Sequence, residues 1–292
     1  MSWLEEIISM YLVVCDAYEK KLWSYCQRYT NYADLSFSDE EVITIYLMGT
    51  MEGKTTKKQI YDHAKNYWHD LFPRLPGYVA FVQRINRLAD VFPAFVELLQ
   101  TLLPTALFAS TSYRLIDSMP IILAQRGRRF RAKVANEIAD KNGYCATKKL
   151  YYYGVKLHVV GCAKEKTIPI PERIGITSAG MSDIKAYEAI LPEILSYEKF
   201  ADKAYISADI QSTKTYTPVK KQKGQVFLEA ADQMYSTAIS RIRQPIESCF
   251  NWIEQKVNIQ IASKVRSYNG LMVHIFGKLT AVFNLLLDKF SS

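Results

Sequence analysis

The chain is poor in the residues that build redox and soft-metal centres: its 292 residues include four histidines and five cysteines. Cys15, Cys26, Cys145, Cys162 and Cys249 are scattered, odd in number and contain no C-x-x-C pair. That pattern excludes a disulfide framework and a structural zinc site and fits a reducing cytoplasm. The histidines are equally dispersed, so the histidine-containing constellation of a tyrosine-nucleophile recombinase is missing. Uninterrupted apolar runs long enough to span a bilayer are missing too. Ile7–Cys15 is too short, and Glu5 and Glu6 precede it where a signal peptide would carry basic residues. Leu271–Leu287 is broken by His274, Lys278 and Asn284 and reads as a packed helix. No internal repeat and no low-complexity tract occurs. The expectation is a soluble cytoplasmic protein.

Hydrophobic residues make up 49% of the chain, enough for a substantial core in one large domain and a smaller one. Charge is divided unevenly. Residues 1–110 carry 10 Lys/Arg and 13 Asp/Glu, whereas residues 111–292 carry 27 and 16. The second part therefore presents the positive field that a polyanion requires.

Residues 1–106 read as helical. Trp3, Ile7, Tyr11, Val14 and Tyr18 recur at helical spacing, and Ser38-Asp39-Glu40-Glu41 has the form of a capping box. Another helix is predicted over Tyr78–Leu88. From Ser112 the texture turns to strands: Tyr113–Leu123, then a polar basic stretch over 124–149, then Leu150–Cys162 with Gly154 as a bulge or close contact, then Thr167–Ile176. Ser182 caps a helix reaching about Leu195, followed by short strands over Lys199–Ser207 and Thr215–Val219. The remainder is helical from about Met234. The first three strands suit an antiparallel meander and the last two suit crossover connections. The predicted division is 1–108, a helical domain for DNA-end binding or dimerisation, and 109–292, an α/β domain.

Three acidic islands stand out within the basic part: Leu115-Ile116-Asp117-Ser118-Met119, Phe200-Ala201-Asp202-Lys203-Ala204-Tyr205 and Arg243-Gln244-Pro245-Ile246-Glu247. The first two acids follow apolar, strand-like residues, and the third opens a predicted helix, Ile246–Lys256. Carboxylates brought together from two strands and a helix offer hard oxygen ligands of the kind that suit magnesium. A basic surface around such a cluster points to phosphoryl transfer on nucleic acid.

At these residues the chain resembles a bacterial insertion-sequence transposase of the DDE type. Leu115-Ile116-Asp117-Ser118 resembles the family's first-strand motif. Asp202-Lys203-Ala204-Tyr205 is similar to its D-K-G-Y element with Ala for Gly, and Arg243 with Glu247 is similar to its R-x3-E pattern. Gly154-Val155-Lys156-Leu157-His158 resembles a strand of the same enzymes. The upstream LSFSDEEVITIYL and LFPRLPGYVAFVQRINRL resemble a compact group, the insertion-sequence family numbered nine-eighty-two. The motifs occur in order, 85 residues from Asp117 to Asp202 and 45 from Asp202 to Glu247. Two positions depart from the extended signature: Ser240 stands where a Tyr is expected, and Glu254 where a Lys is, with Lys256 two residues on.

The resemblance implies a ribonuclease H-like mixed five-stranded sheet with flanking helices, preceded by an all-helical domain. It implies two Mg²⁺ ions, replaceable by Mn²⁺, held by Asp117, Asp202 and Glu247 as the catalytic triad, with about 4 Å between the ions. Its implied partners are double-stranded DNA, both the element's terminal inverted repeats and target DNA, and a second copy of the chain in a dimer; the location would be the bacterial cytoplasm with its nucleoid DNA. Arg126, Arg128, Arg129, Arg131 and Lys133, five basic residues in eight, read as a phosphate-tracking loop emerging close to the metals. Lys156, Lys203, Arg243 and Lys256 complete the expected DNA contacts, and Lys220, Lys221 and Lys223 form a second basic cluster. His158 reads as structural or DNA-facing, and Tyr151–Tyr153 as sheet packing. Two alternatives stay open: a ribonuclease H-like nuclease without strand transfer, and a silent transposase-derived DNA-binding protein.

Overall fold

The computed structural model describes residues 2–26, 35–103, 113–162, 167–190, 197–205 and 214–291. The chain forms two compact units, Met1–Leu103 together with Ile253–Ser292, and Pro104–Trp252. The sequence-based boundary at 108/109 leaves residues 253–292 with the α/β domain; here they cluster with the N-terminal helices.

In the first unit the described helices are α1 (Trp3–Lys20), α2 (Asp39–Met51), α3 (Lys57–Tyr67), α4 (Tyr78–Arg87) and α5 (Val91–Leu102). The capping box read from the sequence starts α2: Ser38 Oγ accepts from the Glu41 amide, and Glu41 Oε2 accepts from the Ser38 amide. Beyond it Val42–Thr50 are buried without a break, because α2 is enclosed by α1, α3 and the C-terminal helix. Its first turn buries Asp39, whose charge is matched by Arg84 of α4 at 2.9 Å.

The C-terminal apolar stretch runs as α8 (Tyr268–Met272), a π-helical turn (Val273–Gly277) and α9 (Lys278–Ser291). By length and composition Tyr268–Asp288 is apolar enough to cross a membrane, but 83% of its most apolar 18-residue window is buried within the protein. A contact with α2 marks the π turn. The Tyr46 hydroxyl donates to the Val273 carbonyl at 3.1 Å, and its ring lies where a Cβ on Gly277 would be, 2.5 Å away.

The second unit is built on β1 (Tyr113–Gln125), β2 (Asn142–Cys145), β3 (Leu150–Cys162), β4 (Ile170–Ser178), β5 (Glu198–Phe200) and β6 (Thr215–Tyr216). Six strands form one sheet in the order β2-β3-β1-β5-β6, with β4 also paired to β3. β1, β3 and β4 make the antiparallel meander expected, and β5 and β6 join parallel to β1. The sixth strand is β2. It has four residues and pairs with Leu150–Tyr153 at the end of β3 that β4 leaves free, so its placement depends on β3 and not on a pattern of its own.

Helices cover both faces of this sheet. α6 (Asp183–Ile190) packs Tyr187 against Ile116, Val160, Ala201 and Tyr205. On the other face lies α7 (Ala230–Val257), whose Ile246 would meet a Cβ on Gly161 and whose Cys249 thiol donates to the Pro169 carbonyl. The sequence reading makes the chain helical from about Met234 and has the third island open a helix over Ile246–Lys256. Instead α7 starts at Ala230 and carries Pro245 in its interior, where the missing amide withholds one hydrogen bond.

Candidate active site

Asp117 lies in β1 opposite Val159 of β3, two residues past the last β1–β5 pair, Leu115 with Phe200. Its Oδ1 accepts from the Ser118 amide at 2.8 Å and its Oδ2 from Arg243 Nη2 at 3.0 Å. Asp202 lies two residues beyond β5, not on a strand running to Ser207 as expected; residues 206–213 are outside the described residues. Its Oδ1 stands 3.8 Å from Arg243 Nη1. Glu247 is exposed on α7 one turn after Arg243, so the two share a helix face.

Arg243 is thus the centre of the arrangement. Its side chain is 8% exposed, against 19% for Asp117 and 46% for Asp202. Burial raises the Asp117 carboxyl to about 6; Arg243 and the Ser118 amide oppose that rise, and the Asp202 and Glu247 charges add to it. Asp202 and Glu247 both lie within electrostatic reach of Asp117. Among the described residues no group of three or more His, Cys, Asp or Glu side chains is drawn close enough to hold a metal ion. The charge balancing Asp117 and Asp202 is the guanidinium. Three carboxylates against one cation leave an excess of negative charge, and their hard oxygen atoms are the donor set magnesium takes. The residues present fit that group.

The opposite face of β1 carries a polar cluster that the sequence reading did not assign. Ser118 Oγ donates to Asp183 Oδ1 at 3.1 Å, and Lys156 Nζ donates to the same oxygen at 3.0 Å and to the Met181 carbonyl. Asp183 was read only as part of a helix start; its pairing with Ser118 depends on how α6 docks, which no local signal reports. Lys156 is one of the residues expected on DNA, and these are its contacts within the fold. His158, on the same face, is 3% exposed and its Nε2 pairs with Thr177 Oγ1 at 2.7 Å. Burial lowers its pKa to about 4, which favours the neutral ring. Tyr205 is buried beside this cluster, and burial holds its hydroxyl well above 10.

The basic residues fall into separate groups. Arg126–Phe130 forms a 3-10 turn directly after β1, with Arg126, Arg128, Arg131 and Lys133 exposed. Arg129 is half-buried, its guanidinium over Phe130 at 4.2 Å and Tyr151 at 5.0 Å. Because β1 continues to Gln125, nine residues at about 3.3 Å each put this turn roughly 30 Å along the strand from Asp117. Lys203, in contrast, borders a groove of about 500 Å³ together with Glu247, Lys221, Arg241 and Ser240. Arg241 was not singled out from sequence, although it lies two residues before Arg243. Of the second basic cluster, Lys220 and Lys223 are exposed, and Lys221 donates to the Val226 carbonyl. Ser240, at the position where a tyrosine was expected, caps nothing beyond its own helix, donating to the Ser236 carbonyl. Lys256 and Glu254 belong to the other unit, where Glu254 accepts from the Gln260 amide. Tyr152 and Tyr153 are buried and Tyr151 is exposed against Tyr144.

A mixed sheet with an antiparallel meander, two parallel strands and helices on both faces fits a ribonuclease H-like domain, and acids gathered across its central strand and a covering helix fit the enzymes that cut or join nucleic acid. The profile of the transposase DDE domain matches residues 108–267. The chain belongs to that family, and the family implies transposition as its function and DNA as its partner. No curated protein matches the chain, and no solved structure does.

Proposed function

We propose that the chain is a DNA transposase of the insertion-sequence family numbered nine-eighty-two, cutting element ends and joining them to target DNA. Asp117, Asp202 and Glu247 serve as the Asp-Asp-Glu triad. The observation that supports this reading is Arg243 of α7 at 3.0 Å from Asp117 of β1 and 3.8 Å from Asp202 beyond β5, with Glu247 one turn further along the same helix. Asp117, Asp202 and Glu247 would hold a pair of Mg²⁺ or Mn²⁺ ions. When bound, such ions activate the attacking oxygen and stabilise the leaving oxygen of a phosphodiester.

The side chains divide the remaining work. The Ser118 amide and Arg243 fix both oxygens of Asp117, so its carboxylate enters the reaction already oriented. Lys203, Lys221 and Arg241 supply positive charge along the groove beside Glu247, where a scissile strand would lie. The Arg126–Arg131 turn lies roughly 30 Å from Asp117, close to one turn of duplex, about 34 Å. It therefore contacts backbone phosphate a helical turn from the cut. Pairing of two element ends calls for two copies of the chain.

Incubation of the protein with labelled oligonucleotide ends and Mg²⁺ should give nicked ends and joined products. Nicking without joining would select a nuclease, and shifted but uncut DNA a binding protein. Asp117→Asn should abolish cleavage while leaving DNA binding within about twofold; retained cleavage would falsify the triad.

A further inference from the structure

A cavity of about 700 Å³ lies within the helical unit, lined by none of the residues of the sheet unit. On one side stand the turn after α2 and the start of α3, on the other the segment 258–267, and between them Tyr46, His274 and Lys278. Six cations line it: Lys54, Lys57, Lys58, Lys264, Arg266 and Lys278. No Asp or Glu does. That unit has 15 basic and 15 acidic residues, so the concentration of one sign at this cavity is local and does not reflect the unit's composition.

The cations are only partly satisfied by the fold. Lys54 and Lys58 reach Glu52 and Asp62, outside the lining. Lys57 donates to Asn86 Oδ1 and Lys278 to the Asn258 carbonyl, both neutral acceptors. Arg266 donates to the Ser263 and Val265 carbonyls. Lys278 is 2% exposed, and burial pulls Lys57 and Lys278 down to about 8, with Glu254 partly opposing the shift at Lys278. Burying an ammonium against neutral oxygens is costly, and an anion in the cavity offsets that cost. Asn86, Ser263 and Thr55 in the lining add polar groups suited to phosphate oxygens, and Tyr78, with Lys58 Nζ 5.4 Å from its ring centre, offers an aromatic face.

We propose that this cavity is a phosphate-binding site, and that the phosphates it takes are those of a DNA strand engaged by the helical unit. The phosphate assignment stands on the cavity; the choice of DNA rests on the transposase reading. Duplex and free polyphosphate share the chemistry, so both are tested.

The full chain carrying Asp117→Asn, which leaves the duplex uncut, is compared with the same chain carrying Lys264→Ala and Arg266→Ala as well. Both added substitutions are at exposed positions. A fluorescent duplex of random sequence and sodium tripolyphosphate are the probes. The double substitution should weaken duplex binding about tenfold at moderate salt and flatten the dependence of log K on log salt by about two. Tripolyphosphate should raise the melting temperature of the parent, compete with the duplex, and do neither in the variant. Lys264→Arg should restore most of the binding. Unchanged affinity and slope overturn the DNA assignment, and if tripolyphosphate also fails to stabilise the parent, the phosphate site is overturned with it. Because binding is read without cleavage, loss of the triad reading and loss of this one are separate results.

Discussion

At the scale of single residues, Arg243 decides the character of the site. The sequence allowed it either to bind phosphate or to orient a carboxylate, because R-x3-E places the arginine one turn from Glu247 without saying what lies opposite. The fold places Asp117 opposite, at 3.0 Å. Arg243→Lys keeps a positive charge but cannot reproduce two-armed contact with Asp117 and Asp202. The variant should need about 10–100-fold more Mg²⁺ for half-maximal cleavage, read by titrating the metal, with DNA affinity little changed. A second residue, His274, sets an acid limit on the helical unit. Its ring nitrogen Nε2 donates to the Ile259 carbonyl, and burial with Lys278 and Lys57 nearby lowers its pKa to about 3. The unfolded chain takes up a proton near pH 6.5 that the folded one refuses, so stability is full above that pH and falls as pH drops toward 3. From pH 6.5 to 5 the loss is about 2 kcal/mol. Urea unfolding at pH 7 and pH 5 should show it, and His274→Gln, which keeps an N–H donor, should flatten the difference.

At the scale of elements, the long antiparallel pair β1–β3 gives the sheet its frame. A tyrosine- and valine-rich run with no break predicted β3 to its observed ends, whereas β5 and β6 are three and two residues long, β5 pairing with β1 and β6 with β5. Gly154 was flagged as a bulge or close contact, and the register of β1 against β3 shifts beside it, between Ile122 and Ala124. A Cβ at Gly154 would stand 2.1 Å from the Ile121 carbonyl oxygen, which is backbone and cannot rotate away. Gly154→Ala should cost about 1–3 kcal/mol in denaturant unfolding through this overpacking; an unchanged midpoint would mean the pair can part there freely. The α7 helix teaches the converse. Pro245 is a helix-start signal locally, yet the apolar positions Ile239, Ile246, Cys249 and Ile253, all buried, carry the helix through it. Packing along a whole face outweighed one missing hydrogen bond.

At the scale of the whole molecule, the chain returns to its beginning. α9 packs on α2 and α5, and the buried positions Leu279, Val282, Phe283 and Leu286 complete the core of the helical unit. A chain ending at Trp252 would leave those faces of α2 and α5 in water. It should be recovered largely insoluble, and co-expression of 253–292 should restore soluble material if the packing is as described. The sequence by itself determined the capping box at Ser38, the meander of β1, β3 and β4 and the transposase family, because these are written in local periodicity and in short motifs at fixed spacing. It also marked Asp117, Asp202 and Glu247. Only tertiary structure decided that Arg243 stands between Asp117 and Asp202, that Asp183 pairs with Lys156, that the arginine turn lies far along β1, and that six cations from distant segments line one cavity. Each of these is a meeting of side chains remote in the sequence, and the docking of helices on a sheet or on one another sets which of them meet.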